Sequence, residues 1–198
     1  MNSLANGYER IAAEFLARRG KAGSTEGVGK FHVRAWAHTL SPRAEVLDLG
    51  CGSGFPITKV LIDAGLRVSA VDASPTLVAA FRHNFPNIPV ACETVEESAF
   101  FGRTFEATIA WGLWFLLPVV VQQELPRRLA AILRPSGRLL MTAPAQPLTW
   151  LDAMTGEQSH SLGAETYRQL LKGAGFSVVR EYEDEGENHY YDAVKDSP

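Results

Sequence analysis

The first apolar positions, Leu4, Tyr8, Ile11 and Phe15, recur at helical spacing, with Glu9, Arg10, Glu14 and Arg18 on the other side. That pattern predicts an opening amphipathic helix. Residues 20–29 hold four glycines with serine and threonine and predict a loop; a second helix is expected over about 30–40, closed by Ser41-Pro42. From Ala44 the pattern changes. Short β-branched and apolar runs alternate with helix-length segments, as in βαβ units on a parallel sheet. Strands are predicted at 45–49, 67–71, 88–92, 106–110 and 137–142, and helices at about 57–64, 75–84 and 122–133. Gly65 and Gly137 follow helix ends, where left-handed backbone is often required.

Residues 143–161 then break the alternation with two prolines, a glycine and the bulky Trp150, Met154 and His160. They read as a long connection leaving the C-terminal end of a strand, the edge at which open α/β sheets bind ligands. A helix near 164–172, a strand over 176–182 and an acidic turn around Gly186 follow, and 189–194 return antiparallel. The expected fold is α/β: a Rossmann-like, mostly parallel sheet with helices on both faces and a C-terminal antiparallel strand pair. Its 198 residues suit one domain with a substantial core. Within it, 1–43 form a helical cap, 44–142 the core, and 143–198 the side facing a second ligand.

Composition changes this picture little. The apolar share of 46% and charged share of 21% are those of a globular protein. Residues 1–43 carry seven basic and three acidic side chains within an overall charge of −3, leaving an acidic body that would repel phosphates. A nucleic-acid partner is therefore not expected. Cys51 and Cys92 match no disulfide framework or metal spacing, which points to a reducing, cytoplasmic setting and no metal. The start, Met1 to Leu4, lacks the basic and apolar regions of a signal peptide. The longest apolar stretch, residues 107–121, is too short to span a bilayer and contains Gly112 and Pro118.

The strongest chemical signal is Val46-Leu47-Asp48-Leu49-Gly50-Cys51-Gly52-Ser53-Gly54: an apolar strand, an acid near its end, and three alternating glycines before a helix. Glycines there let the backbone turn sharply and a ligand approach closely. The spacing is G-x-G-x-G, and Phe55 occupies the sixth position of a dinucleotide fingerprint. Asp48, two residues before the first glycine, would oppose a pyrophosphate but suits a cationic ligand. S-adenosylmethionine, with its ammonium and sulfonium, is such a ligand. Twenty-four residues later, Asp72 ends the next apolar run, where a carboxylate can accept both hydroxyls of a ribose.

At these residues the chain resembles the class I S-adenosylmethionine-dependent methyltransferases. VLDLGCGSG is similar to the family's glycine motif and VDAS to its second acidic motif; FEATIAWG and LRPSGRLLMTAP resemble its fourth strand and fifth strand regions. The resemblance covers about 8–194. It implies S-adenosylmethionine as cofactor, leaving as S-adenosylhomocysteine. Gly50, Gly52 and Gly54 would face its methionine part and Asp72 its ribose, Trp111 would lie beside the reacting methyl, and Asp48, Cys51, Ser53 and Ala73 would also be cofactor-binding. Glu93 or Thr94 would lie by the adenine, although ACETVE departs from the family's usual Gly-Asp-Ala. The fourth strand lacks the Asn/Asp-Pro-Pro-Tyr/Phe motif of many nucleobase and glutamine methylases.

Several residues keep two readings. Tyr8 either closes over the cofactor or packs as a helix-face aromatic, and Trp111 either faces the sulfonium with its ring or joins the core, as Trp114 and Phe115 do. His160, His189 and Tyr190 are candidates for the side facing the acceptor, where a histidine can serve as base. The six acids over 181–192 make either a solvated hairpin or a rim selecting cations. The expected function is methyl transfer to a small molecule by in-line displacement. The rivals are an NAD(P)-dependent oxidoreductase on a similar sheet and a cofactor-binding regulatory protein without catalysis.

Overall fold

The structure, a computed structural model, describes residues 4–19 and 29–197. Most of the predicted 20–29 loop therefore lies outside the described residues. The opening helix, α1, begins later than its periodicity predicts, at Tyr8–Arg19, because Ala5 and Asn6 sit in left-handed backbone (φ 52° and 49°) within a short 3-10 turn. The second, α2 (Lys30–Ala37), stops short of residue 40 in a turn over 38–40.

Seven strands form one sheet in the order β3-β2-β1-β4-β5-β9-β8. These are β1 (Glu45–Leu49), β2 (Arg67–Asp72), β3 (Val90–Cys92), β4 (Phe105–Ala110), β5 (Leu133–Thr142), β8 (Phe176–Glu183) and β9 (His189–Lys195). Five run parallel as predicted, and β9 enters antiparallel between β5 and β8. Both faces of the central strands are covered, so consecutive residues such as Val46-Leu47, Ala70-Val71 and Leu139-Leu140-Met141 are apolar and buried. Val46, Ala107, Ile109, Leu140 and Tyr190 pack toward α2 and α3 (Ile57–Asp63), while Leu47, Leu49, Leu139, Met141 and Tyr191 pack toward α5 (Val119–Ile132) and α6 (Ala164–Gly173). Successive side chains on each strand thus serve opposite cores. The remaining helix, α4 (Pro75–Asn84), is capped by Ser74, whose hydroxyl accepts from Leu77 N.

Two expectations need correction. Gly65 has the left-handed backbone foreseen for it (φ 79°), but at the next such place Ser136 carries the positive φ (60°). Gly137 instead lies in β5, which runs on directly from α5; a Cβ there would stand 2.8 Å from the Arg134 carbonyl oxygen. Residues 143–161, read as a long connection, contain most of a hairpin: β6 (Pro147–Leu151) pairs antiparallel with β7 (Gln158–Leu162). Alternation is present in β7, but its inward positions are Ser159 and Ser161 rather than apolar residues, so hydropathy does not reveal it. Among the described residues, no helix is long and apolar enough to cross a membrane.

Candidate active site

The chain order makes β1 and β4 neighbours whose connections leave in opposite directions, and a crevice opens beyond the C-terminal strand ends at such a point. A cavity of about 510 Å³ lies there. Its floor is built from the β1–α3 turn. Asp48 shares the strand face of Val46, so it points toward α3, where Thr58 Oγ1 donates to its Oδ2 at 2.5 Å. Asp48 is 2% exposed, and burial pushes its pKa up to about 7; the Thr58 hydrogen bond opposes the rise and the Asp72 charge adds to it.

That shift carries a sign. Between the ordinary carboxylate range and pH 7 the folded state holds a proton on Asp48 that the unfolded chain has released, so stability falls as pH rises through this window. Asp72, also raised chiefly by burial, acts in the same direction. Asp48→Asn is expected to remove part of the decline, at most about 1.4 kcal/mol per pH unit, in denaturant unfolding of the ligand-free protein between pH 5 and 8. An unchanged slope would show that Asp48 is ionised throughout.

The turn after Asp48 is tied to the next strand by its backbone. Gly50 N and Cys51 N donate to the Val71 carbonyl at 2.8 and 3.2 Å, and Gly52 N donates to Asp72 Oδ2 at 2.8 Å. The other Asp72 oxygen accepts from Ser74 N at 2.8 Å. Asp72 therefore braces the glycine turn and the start of α4 while lining the cavity. Gly52 (φ 55°) also lines the cavity, and a Cβ on it would lie 3.7 Å from the Phe15 ring. Gly54 (φ 86°) faces the other way: its Cβ would stand 2.3 Å from Phe85.

Helix α1 lies across the cavity and is anchored on both sides. Glu9 accepts from the Ser74 hydroxyl and, at 2.7 Å, from the Thr76 hydroxyl at the start of α4, which holds its pKa below the usual carboxylate range. On the other side Tyr8 donates to Asp152 at 3.3 Å and Arg10 to the Thr155 carbonyl at 2.5 Å, both in the β6–β7 turn. The hairpin is itself pinned by buried Gln122, whose amide nitrogen donates to the His160 and Leu117 carbonyls, both at 2.9 Å.

Of the residues singled out in the sequence, the fold gathers Tyr8, Asp48, Gly50, Cys51, Gly52, Asp72, Ala73, Glu93, Thr94, Trp111 and His160 around this cavity. Four do not line it. Ser53 is buried in the turn and Gly54 packs on Phe85. His189 is held by Glu181 and Glu183 at 3.1 and 3.2 Å on the C-terminal hairpin. Tyr190 is fully buried behind Trp111, accepting from its indole at 2.8 Å and donating to Asp184 at 2.8 Å. None of the acids over 181–192 reaches the cavity; Asp192, for instance, pairs with Arg138. Trp114 is in the core as expected, while Phe115 is half-buried against Trp150.

Sequence reasoning missed Glu9, Thr58, Glu157 and the apolar wall from Leu113 to Val119. Glu9 reads as the solvent side of a helix, and only the approach of α1 to α4 gives it partners. Glu157 sits in a hairpin that hydropathy did not reveal.

Residues 46–137 match the family model of a methyltransferase domain. Uncharacterized methyltransferases of Mycobacterium bovis and Mycobacterium tuberculosis are 33% identical over 94 residues, 48% of this chain and 37% of theirs. The match thus spans well under half the length of these relatives. The fold is similar to that of the 1,6-didemethyltoxoflavin-N1-methyltransferase of Burkholderia thailandensis, solved with S-adenosylhomocysteine (TM-score 0.73, 21% identity, 98% of this chain and 92% of that one). It is also similar to the N-methyltransferase NodS of Bradyrhizobium japonicum, likewise with S-adenosylhomocysteine (TM-score 0.73, 16% identity, 96% and 98%). The [4+2]-cyclase SpnF is similar as well (TM-score 0.79, 14% identity, 99% and 98%). Residues 46–137 thus carry the sequence of a methyltransferase domain, set in a fold similar to those of proteins solved with S-adenosylhomocysteine.

Proposed function

We propose that the cavity binds S-adenosylmethionine and that the protein transfers its methyl group to a small molecule. The observation carrying this reading is the pair of buried carboxylates, Asp48 and Asp72, at the tips of adjacent strands on either side of a glycine turn. A cation fits that pair and favours its ionised form, whereas the pyrophosphate of a nicotinamide cofactor would find there buried carboxyl groups and no cationic partner among the described lining residues. Fold alone would not decide, since a [4+2]-cyclase is built on a similar frame.

In this reading the backbone of Gly50 to Gly52 and the Asp48 carboxylate hold the methionine end. Asp72, with lone pairs left after its two backbone bonds, takes the ribose hydroxyls beside Ala73, and Glu93 and Thr94 flank the adenine. The bound cofactor supplies an activated methyl group on a sulfonium. Trp111 lies where its ring, fixed by Tyr190, can exclude water, and Tyr8 closes the cavity from α1. His160 faces the cavity from β7 with its Nδ1 on Thr149 at 3.1 Å, and when Nδ1 carries the proton, Nε2 can accept one from a hydroxyl or amine. Ser53, Gly54, His189 and Tyr190 have no contact role in this reading. Cys51 and Cys92, both free thiols, go with a reducing, cytoplasmic setting.

Titration calorimetry with S-adenosylmethionine, S-adenosylhomocysteine and NADH tests the cofactor. Micromolar binding of the first two without the third is expected, and tight binding of NADH alone would overturn the reading.

A further inference from the structure

The order of the strands divides the cavity. The tips of β3, β2 and β1 supply Glu93, Glu96, Asp72, Asp48 and the glycine turn. The other half is formed by the segment after β4, from Trp111 to Val119, by Asn6 and Tyr8, and by Glu157, Gln158 and His160 on the hairpin. If the first half is filled by the cofactor, as proposed above, the second half is what the acceptor meets.

Its chemistry is one-sided. Leu113, Leu116, Leu117, Pro118 and Val119 make an apolar wall. The polar groups opposite are an amide, an imidazole and a carboxylate, in Gln158, His160 and Glu157. Among the described residues, no lysine or arginine lines the cavity in either half, against five carboxylates. Arg10, beside the hairpin turn, spends its guanidinium on the Thr155 carbonyl and on Glu157 at 3.3 Å. A carboxylate or phosphate entering this half would lose hydration without a described cationic partner lining the cavity, and would stand beside the Glu157 carboxylate, which Arg10 already holds from outside. A neutral group can hydrogen-bond to Gln158 and His160, and a protonated amine can also pair with Glu157.

We infer, on the basis of the cofactor reading, that the methyl acceptor bears no negative charge and is a neutral or basic, partly apolar small molecule, held against the Leu113–Val119 wall with its polar end toward Glu157 and His160. In the transfer a protonated amine first gives an N–H proton to His160 Nε2, whereas a neutral hydroxyl or amine gives its proton there as the bond forms; the freed lone pair bonds to the methyl carbon, and the carbon–sulfur pair stays with sulfur.

The test uses the full chain saturated with S-adenosylhomocysteine. Ligand-observed NMR would follow a matched library of ring fragments, each ring present as its aminomethyl, hydroxymethyl and carboxylate form. The aminomethyl and hydroxymethyl members are expected to give the hits, with their carboxylate counterparts at least tenfold weaker. Glu157→Gln, at a partly exposed turn position, is expected to weaken the aminomethyl members severalfold and leave the hydroxymethyl members unchanged. Carboxylates binding as well as their neutral counterparts, or no member binding at all, would overturn the inference while leaving the cofactor reading intact. Failure of S-adenosylhomocysteine itself to bind in calorimetry would remove the cofactor reading and this inference with it.

Discussion

Asp72→Ala is expected to cost both binding and stability: cofactor affinity should fall by about a hundredfold or more, and the ligand-free protein should lose about 2–4 kcal/mol. The sequence alone predicts only the first effect, because it presents Asp72 as a strand-end acid free to meet a ribose. In the fold each of its oxygens already accepts a backbone N–H, from Gly52 and from Ser74. Truncation leaves these two donors unpaired in a buried place, at roughly 1–3 kcal/mol each, partly offset by removing a carboxylate whose ionised form burial disfavours. Asp72→Asn is no remedy, since its amide NH2 would oppose one of the two N–H groups. Denaturant unfolding and calorimetry on the same preparation check both effects. Lost stability with unchanged cofactor affinity would mean that Asp72 braces the turn and does not hold the ribose.

Gly54→Ala is expected to be the most damaging single-methyl change in the glycine turn, at about 3 kcal/mol or more. Its Cβ would lie 2.3 Å from Phe85 and 3.1 Å from Phe81, in a backbone of φ 86° that an L side chain rarely adopts. Overpacking of this kind costs about 1–3 kcal/mol and the left-handed conformation about 1 more. Gly52→Ala makes the contrast. Its Cβ has 3.7 Å to the Phe15 ring, so stability should drop by only about 1 kcal/mol, while the methyl group enters the cavity and weakens the cofactor. Thermal unfolding of the two variants should therefore rank Gly54→Ala well below Gly52→Ala, and calorimetry of the folded variant should show weakened binding. Equal destabilisation would mean that Phe85 moves aside freely.

The parallel core was legible because its strands announce themselves twice, by β-branched apolar runs and by the glycines and acids at their ends. Val46 to Gly54 and Val68 to Asp72 lie where the pattern requires. The β6–β7 hairpin was not legible, because Ser159 and Ser161 occupy its inward positions and a hydropathy pattern counts them as polar. Leu4 shares the apolar spacing of α1 but precedes the helix for a backbone reason: Ala5 and Asn6 are left-handed, which no side-chain pattern reveals. At the site, Asp48 and Asp72 could be found from spacing, whereas the partners of Glu9 and the cavity-facing position of Glu157 exist only once α1 bridges α4 and the hairpin. Gly54 shows the reverse error: one motif holds two kinds of glycine, one facing a ligand cavity and one facing an aromatic core.

The central claim, methyl transfer to a small molecule, is tested most directly by incubating the protein with S-adenosylmethionine labelled in its methyl group and a protein-free metabolite extract. Label appearing in a small-molecule product, and lost with Asp72→Ala, is the result expected. S-adenosylmethionine bound with full affinity but no label leaving it for any component of the extract would contradict the account and point to a binding protein without this activity.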